Sequence, residues 1–426
     1  MTTSDASLIP TRLGDRDVRL ATAEAAFGRG DMAAADEQAR RLIADDAEDA
    51  RALLIAGAVA LTRRRHDEAL TLADRAVAAW TDGAIPASLW HNRGIALGGL
   101  GRIEDAVPSL AEAVQAVPHH RQYRTSLAML LHASGRRDEA FEVAVAATGA
   151  PESVVAAAIA FERGELAICE RLLDLARPGF EAGIREQLNE KQWTELKTYH
   201  RYLGRLTTFR RRHPEPPTRS RTPLAIVGDS HTLSPARLPL RVDGRPYVAV
   251  PRLVFGVKVW HLARARRGDP NLYATAFAMA LAALAPGTVA AMSVGEIDCR
   301  VDEGFLPVLR REGNLTPEAI RERVHPAVHD AVAFAAAAAE AAGVSLRVIT
   351  VPAPRGDRAG RSAEDTRAVA EVVRAVNEAI GEAAAAAGAG VLDLHRYTAG
   401  PDGIAKPGLH LDSVHLLPPV LGRAAR

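Results

Sequence analysis

The sequence predicts a two-part α + α/β chain: repeated helix pairs first, then a parallel β-sheet covered by helices on both faces. Three observations lead there. Small residues recur at a near-constant period through residues 16–150. Beyond residue 222, short β-prone runs alternate with longer helical patterns. Alanine fills tracts such as Ala335–Ala339 and Ala383–Ala387, while aromatics are only 4% of the chain. That bias favours helices, because alanine loses no side-chain entropy on becoming helical.

Composition sets the outer bounds. A chain of 426 residues corresponds to two or three domains at roughly 100–200 residues each. A hydrophobic content of 48% sustains packed cores and excludes wholesale disorder. With 53 basic and 52 acidic side chains the formal charge is +1, which argues against broad electrostatic binding to nucleic acid or an anionic membrane. Cys169 and Cys299 are the two cysteines; they make neither a disulfide framework nor a zinc cluster and are expected to stay thiols in a reducing, cytoplasmic compartment. No segment reads as a signal peptide or a membrane span. Residues 1–15 read as a flexible N-terminus.

The repeat comes first along the chain. Gly30, Arg64, Gly101 and Gly135 are spaced 34, 37 and 34 apart, and Ala35, Ala69, Ala106 and Ala140 follow five residues later with the same spacings. The clearest unit, LWHNRGIALGGLGRIEDAVPSLAEAVQAVP, carries Trp90, Gly94, Gly101, Ala106, Ala113 and Pro118. Small residues at these points let two helices approach closely. The second glycine serves the turn between them, and the proline closes the second helix. The extra three residues fall near TDGAIPAS, where a loop absorbs them. This pattern resembles the tetratricopeptide repeat family. The resemblance implies an α-solenoid over 16–177, with a degenerate last unit in FERGELAICERLLDLA, and a concave face for a protein or peptide partner.

Residues 178–222 connect the halves. Trp193, Leu196, Tyr199, Tyr202 and Leu203 recur at roughly helical spacing, so 181–209 is expected to be helical. RRRHPEPPTRSR, residues 210–221, holds three prolines and five arginines and reads as an extended, solvated linker.

From 223 to 426 the pattern is that of a parallel sheet. Five continuous apolar runs, 224–227, 247–250, 289–294, 346–351 and 391–394, are separated by helical candidates near 256–266, 272–284, 317–342 and 362–388. Ligands of such sheets bind beyond the carboxyl ends of the strands, so the polar residues after each strand are the place to look.

After the first strand stands Gly228-Asp229-Ser230-His231; after the third, GEIDCR from Gly295 to Arg300; after the fifth, LDSVHLLP with Asp412 and His415. A glycine permits a sharp turn that leaves the serine at the head of the next segment, where free backbone amides stabilise an oxyanion. An Asp three residues before a His can orient the imidazole, which can then take a proton from a serine on another strand end. Taken alone, Ser230 reads first as a helix cap; joined to Asp412 and His415 in this order, the catalytic reading prevails. Asp229 and His231 are candidate lining residues, with a structural role as the duller account of His231. Glu296 and Asp298 read as salt-bridge partners of Arg300 rather than cation ligands. Cys299 lacks a dedicated base and reads as a buried thiol.

These blocks resemble those of the SGNH (GDSL-like) hydrolase superfamily over residues 223–426. The resemblance implies a three-layer domain with the flavodoxin-like strand order 2-1-3-4-5, ester hydrolysis or acyl transfer often on carbohydrates, and no metal or organic cofactor. It makes Ser230 the nucleophile, His415 the general base and Asp412 its orienting partner. The Ser230 amide would be one oxyanion donor, and Gly256 in LVFGVKVWHLA a further one. The third block departs from the family's G-x-N-D: Ile297 stands where an asparagine donor belongs, and isoleucine donates nothing. Arg300, with five N–H donors, is the natural substitute. Two readings follow: a serine esterase or O-acyltransferase acting on an acyl-ester or glycan-linked substrate with the repeats recruiting a protein partner, or a catalytically impaired binding scaffold on the same fold.

Overall fold

The computed structural model describes residues 14–146, 149–183, 188, 190–214, 222–356 and 361–425. The chain packs as two compact units. One runs to Leu100 and also holds Asp105–Pro118; the other holds Gly101–Glu104 and the residues from His119 onward.

Helices α1 (Asp15–Gly28), α2 (Met32–Asp45), α3 (Ala50–Thr62), α4 (His66–Ala79), α5 (Ala87–Gly99) and most of α6 (Ile103–Ala116) make the first unit. Asp31 and Asp49 cap α2 and α3 by accepting the Ala34 and Ala52 amides, which satisfies donors a helix start leaves open. Its core is built from small residues, among them Ala23, Ala26, Ala35, Ala39, Ala56, Ala73 and Ala76, around Leu53 and Leu89. Gly94 marks a close approach of two helices: a Cβ there would lie 2.7 Å from Leu110 Cδ2.

The repeat positions share one backbone conformation. Gly30, Gly101 and Gly135 have φ of 80°, 75° and 82°, and Arg64 is held at 56°. A side-chain-bearing residue pays about 1–2 kcal/mol in this region, while glycine's greater freedom in the unfolded chain offsets about 0.5–1 kcal/mol. Arg64→Gly is therefore expected to stabilise the chain by up to about 1 kcal/mol. A thermal midpoint at or below that of the wild type counts against this reading.

In the second unit α7 (Arg121–Ala133), α8 (Arg137–Val145), α9 (Ala150–Arg163), α10 (Leu166–Glu181) and α11 (Glu190–Arg212) pack in succession. The connector's helical spacing is realised in α11, which continues through Arg210–Arg212 where an extended linker was expected; residues 215–221 of that linker lie outside the described residues.

The sheet holds β1 (Thr222–Gly228), β2 (Pro239–Val242), β3 (Arg245–Leu253), β4 (Val289–Ser293), β5 (Ser345–Ile349) and β6 (Gly390–Leu392), ordered β2-β3-β1-β4-β5-β6. It is mixed and six-stranded, which corrects the expected five-stranded parallel sheet. β3, β1, β4, β5 and β6 pair in parallel, and β2 adds antiparallel to β3. The extra strand comes from a two-residue hairpin at Asp243-Gly244, with φ of 48° and 75°, the pair of positive values that a type I′ turn requires.

Around the sheet lie α12 (Val259–Arg266), α13 (Leu272–Ala282), α14 (Phe305–Arg311), α15 (Pro317–Ala341), α16 (Ala363–Ala386), α17 (Leu394–Thr398) and α18 (Val420–Ala424). Leu224, Ile226, Ala291, Ile349 and Leu392 form one core with Leu416, Val420 and Leu421. That packing returns the C-terminal loop to the strand ends. Among the described residues no helix is long and apolar enough to cross a membrane.

Candidate functional site

The turn after β1 is held from two sides. Asp229 N–H donates to Ser293 O at 3.1 Å, and Val254 N–H donates to Gly228 O at 2.7 Å. Asp229 then caps the 3₁₀ turn Ser230–Leu233 by accepting the His231 amide at 2.9 Å. At the head of that turn Ser230 Oγ lies 2.8 Å from His415 Nε2. His415 Nδ1 is 2.9 Å from Asp412 Oδ2, while Asp412 Oδ1 accepts the Val414 and His415 amides at 2.9 and 2.8 Å. With Nδ1–H donated to the carboxylate, Nε2 is left to accept the serine proton. An antiparallel bridge between His410 and Leu416 closes this loop. Ser230, 185 residues away along the chain, thus joins the local Asp412–His415 pair in one hydrogen-bonded chain.

Its electrostatics follow from burial. His415 is 3% exposed; burial drives its pKa down to about 4 against the opposing pull of Asp412. Burial pushes the Asp412 carboxyl up, but its hydrogen bond to His415 and the neighbouring backbone amides outweigh this and hold it well below the usual carboxylate range. At neutral pH the histidine is therefore an uncharged acceptor and the aspartate an anion.

The third block keeps one expected pair and loses the other. Arg300 is turned onto Glu296, as the salt-bridge reading expects, with Nε and Nη2 at 3.0 and 2.6 Å from Oε2. Asp298 is not a partner of Arg300. Its Oδ2 accepts the Val259 amide at the start of α12 at 2.9 Å, and Oδ1 is buried without a hydrogen bond. Burial accordingly pushes the Asp298 pKa up to about 7, against the Val259 amide. Asp298 thus clamps the segment that carries Gly256, whose φ is 70°. His231 Nε2 stands 3.5 Å from Glu296 Oε2, and its ring centroid is 4.7 Å from that of His415. Burial would lower the His231 pKa, but Glu296 and Asp229 outweigh it and raise it. Ile297 is buried, and the Cys299 thiol is buried and donates to Gly295 O.

Four further residues come from the helices that precede the sheet. Tyr202 of α11 donates to Ser230 O at 3.1 Å, meets Ser234 Oγ at 2.8 Å, and stacks on His415 with centroids 3.6 Å apart and planes at 13°. Tyr199, one turn earlier, has its hydroxyl facing the Ser230 side chain; burial raises its pKa, with Asp229 adding to the rise. Its ring is 5.1 Å from Phe255, and the His132 ring of α7 lies 5.3 Å from the same phenylalanine. Glu162 of α9 accepts the Leu253 amide at 2.9 Å and meets His132 Nε2 at 2.6 Å. Burial would raise the Glu162 pKa; His132 outweighs it, and the carboxyl stays below its ordinary value. The chain's helical spacing marks Tyr199 and Tyr202 as one helix face; nothing local says what that face covers. An isolated acid in the apolar run SVVAAAIAFE is the available signal for Glu162.

Beside Ser230 and His415, a small cleft is lined by Glu296, Arg300, Arg355, Arg361, His410 and Ser413. Burial drives the His410 pKa down to about 4, with His231 and Arg355 adding to the fall.

The tetratricopeptide repeat family model matches residues 20–84 and 91–154. No curated protein matches the chain. Among solved structures, the chain is similar to YrrB, described as a TPR protein with an unusual peptide-binding site, at 20% identity over 43% of this chain and 92% of that one, with a TM-score of 0.34. PilF of Pseudomonas aeruginosa is 18% identical over 47% and 93%, with a TM-score of 0.35. A thermophilic TPR protein of Thermus thermophilus is 17% identical over 44% and 98%, with a TM-score of 0.33. The N-terminal part of the chain carries tetratricopeptide repeats.

Proposed function

We propose that this protein is a serine ester hydrolase or O-acyltransferase, and that its tetratricopeptide repeats bring a protein or peptide partner to it. The observation that carries the reading is the Ser230–His415–Asp412 chain at 2.8 and 2.9 Å, assembled at the carboxyl ends of the strands and matching the resemblance to SGNH hydrolases. Ser230 Oγ attacks the ester carbonyl carbon as its proton passes to His415 Nε2. Collapse of the tetrahedral intermediate breaks the bond to the alcohol, which leaves with that proton. Water or an acceptor hydroxyl then attacks the acyl-enzyme through the same histidine, and its identity distinguishes hydrolysis from transfer.

The oxyanion needs donors. The Ser230 amide and the Gly256 segment, held by Val254 and Asp298, supply the backbone set. The Tyr199 hydroxyl takes the place of the missing asparagine, because Arg300 is committed to Glu296 while Tyr199 faces the nucleophile. A second reading, a binding scaffold without turnover, is favoured by one observation: Tyr202 covers His415, and Ser230 is only 8% exposed.

The test is labelling of the full chain with a fluorophosphonate and release of p-nitrophenol from short acyl esters. Labelling mapped to Ser230, with turnover lost in Ser230→Ala, supports the enzyme. Tyr199→Phe is expected to lower turnover by about 10²-fold while labelling persists. No labelling at Ser230, or equal rates in Ser230→Ala, leaves the scaffold reading.

A further inference from the structure

A second cluster of titratable side chains stands on the helical face of the second unit. His325 and His329 are four residues apart on α15, so they lie one above the other on the same side of the helix. Glu382 reaches the pair from α16, which packs along α15. His325 Nδ1 and His329 Nε2 lie 3.3 and 3.4 Å from the same carboxylate oxygen, Glu382 Oε2. One ligand atom from each of the three residues lies within 4.8 Å of the other two, and the imidazole centroids are 6.1 Å apart with planes at 22°.

Both separations are longer than a tight ion pair and fit ligand atoms gathered around one ion. A charge-assisted hydrogen bond between imidazolium and carboxylate closes to about 2.7–2.9 Å; neither contact does. Bonds of about 2.0–2.1 Å to a tetrahedral zinc ion instead hold neighbouring ligand atoms about 3.3–3.4 Å apart, which is the spacing found for both histidine–glutamate pairs. Side-chain exposures of 17%, 41% and 59% for His325, His329 and Glu382 leave the open side to solvent, so water can supply a fourth ligand. Two imidazoles and one carboxylate suit zinc or another borderline divalent ion rather than magnesium or calcium.

We infer that His325, His329 and Glu382 form a zinc-class divalent-cation site that staples α15 to α16. Both helices pack on β5, and α16 also packs against the turn Ile297–Cys299 of the third block. A bound ion therefore stiffens the helical layer behind the candidate site without touching the triad.

The experiment is calorimetric titration of the chelator-treated full chain with zinc chloride, paired with thermal unfolding. The expected result is one zinc ion per chain and a midpoint that rises with zinc. Affinity is expected to fall by more than about tenfold in His325→Ala, His329→Ala and Glu382→Gln. His213→Ala, at an exposed histidine of α11's C-terminal end, serves as the control and keeps wild-type binding. Cobalt in place of zinc is expected to show the visible absorption of a tetrahedral ion in the wild type and His213→Ala, and not in the three site variants. His329 and Glu382 are exposed enough that their variants fold as the wild type does in the absence of metal, and the unfolding curves check this. Absence of stoichiometric zinc uptake by the wild type, or uptake unchanged by these three substitutions, overturns the site.

Discussion

Replacing His415 by alanine is expected to lower ester turnover by about 10⁶-fold, and replacing Asp412 by asparagine by about 10⁴-fold. The first change removes the group positioned to take the Ser230 proton at 2.8 Å. The second keeps an oxygen for the Val414 and His415 amides but removes the charge that holds Nδ1–H, so the loop stays folded while the tautomer is no longer enforced. Because the three residues act as a unit, Ser230→Ala combined with His415→Ala is expected to be no worse than either alone. The pH dependence has a definite sign. A general base works only when unprotonated, and burial lowers His415 to about 4, below the ordinary histidine value of about 6.5. The wild-type kcat/KM is therefore expected to stay level on acidification through pH 6 and to fall only near pH 4. In Asp412→Asn that limb moves lower still, since Asp412 is what pulls the imidazole upward. Product release quantified by chromatography across pH 3.5–8, roughly the window these values span, checks both; a limb near 6.5 or an unaffected Asp412→Asn rate contradicts the assignment.

Gly228→Ala is expected to destabilise the sheet-bearing unit by about 3 kcal/mol or more. A Cβ at this position would sit 1.9 Å from Ser293 O, the backbone oxygen that also receives the Asp229 amide. The obstacle is backbone rather than a movable side-chain end, so β1 and β4 must separate or the turn must change its path. Either outcome displaces Ser230, two residues on. A fall of roughly 6–12 °C in the corresponding thermal transition is expected, together with loss of fluorophosphonate labelling. Gly244→Ala is the comparison: it shares a positive φ but would meet no atom within 4 Å, so only about 1 kcal/mol of backbone strain is expected. Equal effects of the two substitutions would show that close packing at Gly228 is not what demands glycine there.

Much of the architecture is legible in the sequence because it is locally encoded. Small residues at a fixed period mark helix pairs, and the positive φ at Gly30, Gly101 and Gly135 is the conformation that makes those positions recognisable. Continuous apolar runs mark five of the strands, since a strand covered on both faces has no polar side to alternate with. The sixth, β2, escapes such a reading because four residues opening on proline carry little strand signal, although Asp243-Gly244 is a hairpin cue. Ser230, Asp412 and His415 are recognisable as residue types following strands, and the His415–Asp412 contact, three residues apart in a turn, is itself local.

What the sequence determined alone is therefore what short-range physics controls: the repeat period, the strand and helix segments, and the residue types at the turns. The tertiary structure decided which groups meet. It put Arg300 on Glu296 rather than Asp298, gave Asp298 to the start of α12, laid Tyr202 against His415, and brought Glu382 across to His325 and His329. Most of these depend on how one element packs against another tens of residues away. That packing is set by burial and shape, which no window of sequence records.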